Sequence, residues 1–216
     1  SSLRRTVDLS RAHLLIVDDH SAEDATRRYL AAAEADTELH CRVIRPNPSD
    51  DRFNYSRLMN AAAREVDTEL MLQLNNDTEA LSPGWIDQMA GWLACPDVGV
   101  VGAKLLYPDL SIQHAGVMVA PARGGRQHWF EGLVESDAGY QWLPHRLRNV
   151  SAVTGACLLT RTDLFQELGG FDEDHLAIQF NDIDYCLRVL SAGRRIVYEP
   201  AAALLHRTSA SRGRDY

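Results

Sequence analysis

The sequence has little lysine and lacks the patterns of a membrane-spanning or secreted protein. Lys104 is the only lysine, so arginine carries almost all of the positive charge. No apolar run approaches the roughly 20 residues that cross a bilayer, so no membrane-spanning helix is expected. The sequence does not open with a basic segment followed by an apolar one, so no signal peptide is expected either.

Cysteine is also sparse and carries no paired motif. The four cysteines, Cys41, Cys95, Cys157 and Cys186, are widely spaced and form no CxxC pair. Each lies in an apolar or helical context, which predicts buried free thiols in a reducing compartment. We therefore expect a cytoplasmic location.

The charge balance excludes one class of partner. Asp and Glu number 30 against 22 Lys and Arg, for a formal net charge of −8. Non-specific binding to nucleic acid needs a basic surface, so no nucleic-acid partner is expected. The 216 residues are 45% hydrophobic and 24% charged, which is typical of one folded domain.

Strand and helix patterns alternate through the first half. The predicted strands are His13–Val17, Cys41–Arg45, Leu70–Leu74 and Val98–Val101, and the predicted helices are Glu23–Ala35, Tyr55–Val66 and Pro83–Leu93. This alternation predicts βαβ units and an α/β fold with a mixed, mainly parallel sheet flanked by helices. In the less regular second half we predict helices at Thr162–Leu168 and Asp182–Ala192, and strands at Arg195–Tyr198 and Ala201–Leu205.

Polar residues follow two of the predicted strands. Asp18 and Asp19 follow the first, and Asn75, Asn76 and Asp77 follow the third. Ligands bind at the carboxyl ends of strands in such sheets, and a carboxylate there can hold Mg²⁺ or Mn²⁺. The same residue types favour turns and helix caps, so the residues alone leave both interpretations open.

Two acids open a predicted helix near the end of the chain. Asp182 and Asp184 are two residues apart, so they point to different faces of that helix. One could act as a general base in a cleft, or both could simply favour the helix dipole. His206 follows the last predicted strand, and a lone histidine is more often a surface or core residue than a ligand.

Taken in order along the chain, these motifs resemble family 2 glycosyltransferases of the GT-A fold, closest to bacterial O-antigen and polysaccharide enzymes of the rhamnosyltransferase type. The resemblance rests on nine segments: Val17–Ser21, Phe53–Asn60, Leu74–Thr78, Ser82–Trp85, Ile112–Gly116, Thr154–Cys157, Gly169–Glu173, Asn181–Arg188 and Leu205–His206. Ser209–Gly213 also resembles that subgroup. One domain over 1–216 is implied, with a nucleotide-binding half at 1–104 and an acceptor-binding half at 105–216.

The resemblance also implies roles for individual residues. Asp77 and His206 would hold Mn²⁺ or Mg²⁺, and Asp182 would be the base of an inverting transfer. The expected nucleotide contacts are Asp18, Asp19, Arg57, Asn60, Asn75 and Asn76, and the expected sugar or acceptor contacts are Gly155, Ala156, Asn181, Asp184 and Trp129. The implied donor is a dTDP-, UDP- or GDP-sugar. The implied acceptor is a glycan or a lipid-linked glycan, which is compatible with peripheral association at the inner face of a membrane.

Two features depart from the family pattern. Asn75 stands where the metal-binding motif often has its first acid, so we expect either a weaker metal affinity or a metal site that relies more on His206. The family's first strand has no counterpart, since Ser1–Leu9 looks like the helix that follows it; the chain is therefore expected to be a segment of a longer protein.

The residues leave two other functions open. A non-catalytic module that binds nucleotide-sugars or glycans would share this fold, and a glycoside hydrolase would also use paired carboxylates. The long segment Pro121–Arg148 contains Trp129, Phe130, Tyr140 and Trp142. It is either a lid that holds sugar rings against aromatic faces or an ordinary packed loop.

Overall fold

The computed structural model describes residues 2–46, 52–120 and 125–207. Its helices are α1 (Ser2–Thr6), α2 (Asp24–Ala35), α3 (Tyr55–Ala63), α4 (Trp85–Leu93), α5 (Thr162–Glu167) and α6 (Asn181–Ser191), with 3-10 turns at Leu9–Arg11 and Tyr140–His145. Its strands are β1 (Leu14–Val17), β2 (Cys41–Ile44), β3 (Leu70–Leu74), β4 (Thr78–Ala80), β5 (Val98–Leu106), β6 (Ile112–His114), β7 (Val117–Ala120), β8 (Gly125–His128), β9 (Arg148–Asn149), β10 (Cys157–Arg161) and β11 (Arg195–His206).

The strands form one large sheet and two smaller ones. The large sheet has the order β3-β10-β5-β11-β4, with β6 paired to β5 and β9 paired to β11. This confirms the predicted mixed α/β architecture. Among the described strands, parallel pairing occurs in β1–β2 and in the long β5–β11 ladder. The other pairs in the large sheet are antiparallel: β3–β10, β10–β5, β4–β11, β9–β11 and β5–β6.

Strand β5 lies at the centre of the core. Every one of its residues is buried, so both faces are covered. A Cβ built on Gly102 would lie 2.4 Å from Val153 Cβ, so only glycine allows this close approach. On one side of the sheet, Trp85, Met89 and Leu93 of α4 pack at helical spacing into an apolar cluster.

The only lysine lies inside this central strand. Lys104 is 4% exposed, and its Nζ lies 3.0 Å from Glu135 Oε1 and 3.5 Å from His145 Nδ1. Burial of an ammonium group requires such a partner. Strand β5 extends beyond the predicted Val98–Val101 because this pairing lets a charged residue occupy a buried strand position.

Strand β11 corrects the prediction of two separate strands around Pro200. It runs without interruption from Arg195 to His206, with a register shift against β5 between Glu199 and Ala203. The Glu199 carboxylate accepts hydrogen bonds from Ala201 N (2.9 Å) and Trp92 Nε1 (2.8 Å), which supports the backbone where proline cannot donate.

The first helix is tied to the large sheet. Thr6 Oγ1 accepts a hydrogen bond from Trp85 Nε1 (3.3 Å), and Leu3 and Val7 pack against the apolar cluster around α4.

Across residues 2–46, 52–120 and 125–207, we find no helix long and apolar enough to cross a membrane. The predicted loop Pro121–Arg148 contains β8, a 3-10 turn and the start of β9; its residues 121–124, and all of Ser209–Gly213, lie outside the described residues.

Candidate functional site

Strand pairing brings Asp77 and His206 together from opposite ends of the sequence. Strand β4 pairs with β11, with Thr78 opposite His206, and Arg207 N donates to Asp77 O (2.9 Å). As a result, His206 Nε2 lies 3.1 Å from Asp77 Oδ1. The two side chains are only 13% and 19% exposed, so they form a shielded corner at the end of the sheet.

Gln113 sets the orientation of the His206 ring. His206 Nδ1 lies 2.5 Å from Gln113 Oε1, while Gln113 Nε2 donates to His206 O (3.4 Å). An amide oxygen only accepts, so this arrangement places a proton on Nδ1. In the neutral ring, Nε2 then directs a lone pair towards the Asp77 carboxylate.

Asp77 Oδ1 is consequently a buried acceptor that faces a second acceptor. It has no hydrogen-bond donor among the described residues. Either a second proton on His206 or a cation shared by both atoms would relieve this contact. One carboxylate oxygen and one imidazole nitrogen are suitable ligands for Mn²⁺. No group of three or more His, Cys, Asp or Glu side chains suited to a metal occurs within the described ranges, so further ligands would come from a substrate or water.

The two asparagines before Asp77 form a turn beside this corner. Asn75 O accepts from Thr78 Oγ1 (2.7 Å), and Asn75 Nδ2 lies 3.4 Å from His206 Nε2. Asn76 is exposed at the tip of the turn. The turn interpretation is therefore confirmed, and it does not conflict with a metal site because the Asp77 side chain remains at the corner.

Asp182 lies in the first turn of α6, where the helix N-terminus favours a negative charge. Its Oδ2 accepts from Gly155 N (2.9 Å) and its Oδ1 from Ile183 N (2.8 Å). Each carboxylate oxygen retains a second lone pair. Gly155 has no side chain, so the space above its Cα is open. The Asp182 side chain lines one side of this space.

A short backbone path joins the two acids. Asn75 N donates to Ala156 O (3.0 Å). Gly155, which precedes Ala156, donates its N–H to the Asp182 carboxylate. The end of β3 and the loop before β10 therefore fix the Asp77 corner and the Asp182 carboxylate within one hydrogen-bonded framework. This is the main spatial relationship of the candidate site.

Asn181 and Asp184, predicted as sugar or acceptor contacts, are engaged in local structure. Asn181 is buried; its Oδ1 accepts from Asp182 N (2.8 Å) and its Nδ2 donates to Ser56 Oγ (3.0 Å). Asp184 Oδ2 forms an ion pair with Arg188 (2.7 Å). The predicted divergence of Asp182 and Asp184 onto different faces of the helix is confirmed by these separate partners.

The predicted nucleotide contacts fall into different environments. Asp18 is buried and accepts from Ser21 N (3.0 Å) and Arg45 Nε (2.9 Å). Burial opposes ionisation, but these hydrogen bonds and the Arg45 charge outweigh it and lower the pKa of Asp18. Asp19 is exposed. The alternative prediction, in which Asp18 or Asp19 caps the next helix, is wrong, because Glu23 occupies the N-cap position of α2.

The other two nucleotide candidates lie on α3. Arg57 donates through its guanidinium to Arg52 O (3.1 Å). Asn60 is buried, and its amide pairs with both backbone groups of Phe171, at 2.8 Å for each bond. The structure therefore uses Asn60 to hold the turn after α5, and Phe171 engages both ends of its buried amide.

Trp129 packs into a cluster formed by the second half of the chain. The Arg148 guanidinium stacks over Trp129 (5.3 Å to the ring centroid) and over Tyr198 (4.4 Å). Burial lowers the pKa of Arg148, partly offset by Tyr198. Trp129 Nε1 has no partner among the described residues. Trp129 thus takes part in the packing that the loop interpretation predicts, while one polar atom remains unpaired.

His114 lies against the same cluster. It is 1% exposed, its Nε2 accepts from Gly116 N (3.3 Å), and its Nδ1 lies 3.2 Å from His128 Nδ1. Burial, together with the nearby His128, Arg148 and His206, lowers the pKa of His114 well below its usual value. His114 is therefore neutral in the folded protein at neutral pH.

The sequence reasoning missed two glutamines at this site. Gln113 orients His206, and Gln73, on β3, lies beside Gly155. Gln113 lies inside the Ile112–Gly116 segment of the family resemblance, but the resemblance gives it no role, and Gln73 lies outside all nine segments. Their roles depend on contacts between residues that are far apart in the chain.

Comparison with known proteins finds related sequences and similar folds. The family model described as "Glycosyltransferase like family 2" matches residues 7–213. The chain is 40% identical over 94% of its length to the uncharacterized protein y4gI of Sinorhizobium fredii, and 39% identical over 77% of its length to the O-antigen biosynthesis protein RfbC of Myxococcus xanthus. It spans only 22% and 13% of these two relatives.

Other matches cover more of the compared protein. The chain is 32% identical, over 62% of its length, to the N-acetylglucosaminyl-diphospho-decaprenol L-rhamnosyltransferase of Mycobacterium tuberculosis, of which it covers 45%. A solved structure of GalNAc-T7 with UDP, GalNAc and Mn²⁺ superposes on 97% of the chain, with a TM-score of 0.76 and 13% identity, over 40% of that protein. The mannosyltransferase PcManGT from Pyrobaculum calidifontis, with GDP-Man and Mn²⁺, gives a TM-score of 0.64 at 15% identity, covering 94% of this chain and 50% of that one. These likenesses support the predicted GT-A fold.

Proposed function

The chain belongs to the glycosyltransferase-like family 2, and we propose that it is a metal-dependent, inverting glycosyltransferase domain. Its substrates would be a nucleotide-diphosphate sugar and a hydroxyl group of a glycan or lipid-linked acceptor. The observation that carries this proposal is the buried Asp77 Oδ1 facing His206 Nε2, linked through Asn75, Ala156 and Gly155 to the Asp182 carboxylate.

The similar proteins support the proposed substrates. Two proteins of similar fold hold UDP or GDP-Man together with Mn²⁺. One relative is named for O-antigen biosynthesis, and another for rhamnosyl transfer to a diphospho-decaprenol carrier. We therefore favour cell-surface polysaccharide synthesis and a lipid-linked acceptor for this chain.

Asp77 and His206 would hold the divalent ion. The carboxylate supplies a negative oxygen, and the ring is already turned so that Nε2 faces it. A bound divalent cation would neutralise charge on the leaving diphosphate. Asn75 and Asn76 border this corner, where their amides can hydrogen-bond to ribose or phosphate.

Asp182 would act as the general base. It would accept the proton of the acceptor hydroxyl as that oxygen attacks the anomeric carbon. The new C–O bond forms while the bond from the anomeric carbon to the diphosphate oxygen breaks, and the electron pair leaves with the nucleoside diphosphate. A single displacement of this kind inverts the anomeric centre. The Gly155 N–H keeps the carboxylate oriented throughout.

A thermal-shift experiment tests the donor site. UDP, dTDP and GDP are each added with and without Mn²⁺ or Mg²⁺, and a ligand that binds only the folded state raises the midpoint Tm. We expect one nucleotide to raise Tm in a metal-dependent manner, and Asp77→Ala to abolish the rise. Asp174→Ala, which removes an exposed acid, serves as the matched control and should retain it.

Two other outcomes would change the conclusion. A nucleotide shift that needs no metal and survives Asp77→Ala would contradict the proposed metal site. A metal-dependent shift in a protein that transfers no sugar to any acceptor would instead favour the non-catalytic binding module.

A further inference from the structure

A buried amide beside Asp182 has no partner. Gln73 is 5% exposed, and neither its Nε2 nor its Oε1 has a hydrogen-bond partner among the described residues. Buried polar groups are nearly always paired, because leaving a donor or acceptor unsatisfied costs stability. An amide with both ends unpaired at the same buried position therefore points to a partner that arrives from outside.

The position of Gln73 places it within the candidate site. A Cβ built on Gly155 would lie 3.9 Å from Gln73 Oε1 and 3.9 Å from Asp182 Oδ2, so both oxygens border the small space above Gly155. Gln73 precedes Leu74 and the Asn75 turn on the same strand. It thus borders the same space as the Asp182 carboxylate and lies four residues before Asp77 in the chain.

We propose that Gln73 hydrogen-bonds a hydroxyl group of the transferred sugar and is a specificity-determining residue of the transfer, an inference that rests on the proposed function above. In a single displacement, the sugar lies between the leaving diphosphate and the base. A residue that borders the same space as Asp182 therefore lies next to that sugar rather than next to the nucleoside. A neutral amide offers one donor and one acceptor group, which matches a hydroxyl better than a charged phosphate.

Because the amide is unpaired, replacing it should raise the stability of the free protein and weaken binding of the sugar-nucleotide. Gln73→Met keeps the length of the side chain and removes both polar atoms. In the free protein it removes an unsatisfied buried group, so Tm should rise by about 2–4 °C. In the complex it removes a hydrogen bond to the sugar, so the sugar-nucleotide should bind roughly tenfold more weakly.

The test compares the nucleotide with its sugar conjugate. Tm is measured for the wild type and Gln73→Met, without ligand and with Mn²⁺ plus UDP, UDP-glucose, dTDP, dTDP-rhamnose, GDP or GDP-mannose. We expect Gln73→Met to keep the shift caused by the nucleotide and to lose the extra shift caused by the sugar. Gln166→Met is the matched control: that glutamine is exposed and donates to Ala63 O (3.3 Å), so its replacement should neither raise Tm nor alter the sugar increment.

Each contrary outcome has a separate meaning. If Gln73→Met lowers Tm, the amide is satisfied within the folded protein and the proposal is wrong. If Tm rises but the sugar increment is unchanged, Gln73 does not contact the transferred sugar, while the donor site stands. If no nucleotide stabilises even the wild type, the proposed function fails first, and the assignment of Gln73 fails with it.

Discussion

Gly155 donates its main-chain N–H to Asp182 Oδ2 across 2.9 Å, so a backbone group holds the carboxylate proposed as the base. An asparagine at position 182 could accept the same hydrogen bond through its amide oxygen. Substitution of Asp182 by Asn can therefore separate the charge of this side chain from its position.

We predict that Asp182→Asn removes the contribution of the base to transfer while the protein still binds nucleotide. General-base catalysis contributes roughly 10²–10⁴-fold to a rate, so kcat should fall by about that factor. The Tm shift with Mn²⁺ and nucleotide should match that of the wild type. A parallel loss of nucleotide binding and turnover would make Asp182 a binding or structural residue instead.

Gln113 offers a test of the orientation of His206. Gln113→Met removes the acceptor for His206 Nδ1–H, and groups that orient a metal-binding histidine typically contribute 10–100-fold to metal affinity. The Mn²⁺ concentration that gives half of the nucleotide-dependent Tm shift should rise by about that factor, and saturating Mn²⁺ should restore the full shift. The exposed Gln88→Met is the control. An unchanged Mn²⁺ midpoint would show that the ring needs no such support.

Asn60 is expected to contribute to stability rather than to nucleotide binding. Asn60→Ala leaves the buried Phe171 N–H and C=O without their partner, at about 1–3 kcal/mol each, so urea unfolding should report a loss of roughly 2–6 kcal/mol. The nucleotide-dependent Tm shift should persist in the folded fraction. Wild-type stability combined with loss of the nucleotide-dependent Tm shift would instead show that Asn60 contributes to nucleotide binding.

His114 should make stability depend on pH. Its pKa in the folded state lies well below the unfolded value of about 6.5, so the unfolded chain binds a proton that the folded chain resists. The free energy of unfolding should therefore fall as the pH drops below about 6.5, by up to about 1.4 kcal/mol per pH unit. His114→Gln should flatten the dependence of Tm on pH between about 7.5 and 5.5, whereas the exposed His20→Gln should not. Identical slopes in all three proteins would contradict a buried neutral His114.

Local patterns predicted many of the helices and strands but not all of their pairings. Strand β3 has the predicted bounds because its apolar run ends at polar turn residues. Strand β11 was divided in the prediction because proline usually ends a strand, whereas the Glu199 carboxylate compensates for the missing donor. The burial of Lys104 depends on Glu135, and no local pattern indicates that contact.

The candidate site was predicted largely through resemblance to a family. Asp77 and His206 meet only because β4 pairs with β11, and their spacing in the sequence alone gives no such indication. The unpaired state of Gln73 is a property of its surroundings rather than of its residue type. Asn60 shows the converse: its motif suggested a ligand contact, but the fold engages both ends of its amide.

The burial of Lys104 has a practical consequence for work with this protein. With its only lysine 4% exposed and paired to Glu135, the folded domain presents no accessible lysine amine to acylating labels, aldehyde fixatives or lysine-directed cross-linkers. Acylation of Lys104 would instead report opening of the central strand, so the residue can serve as an internal probe of unfolding. Surface attachment of the domain is better directed at carboxylates or at an introduced cysteine.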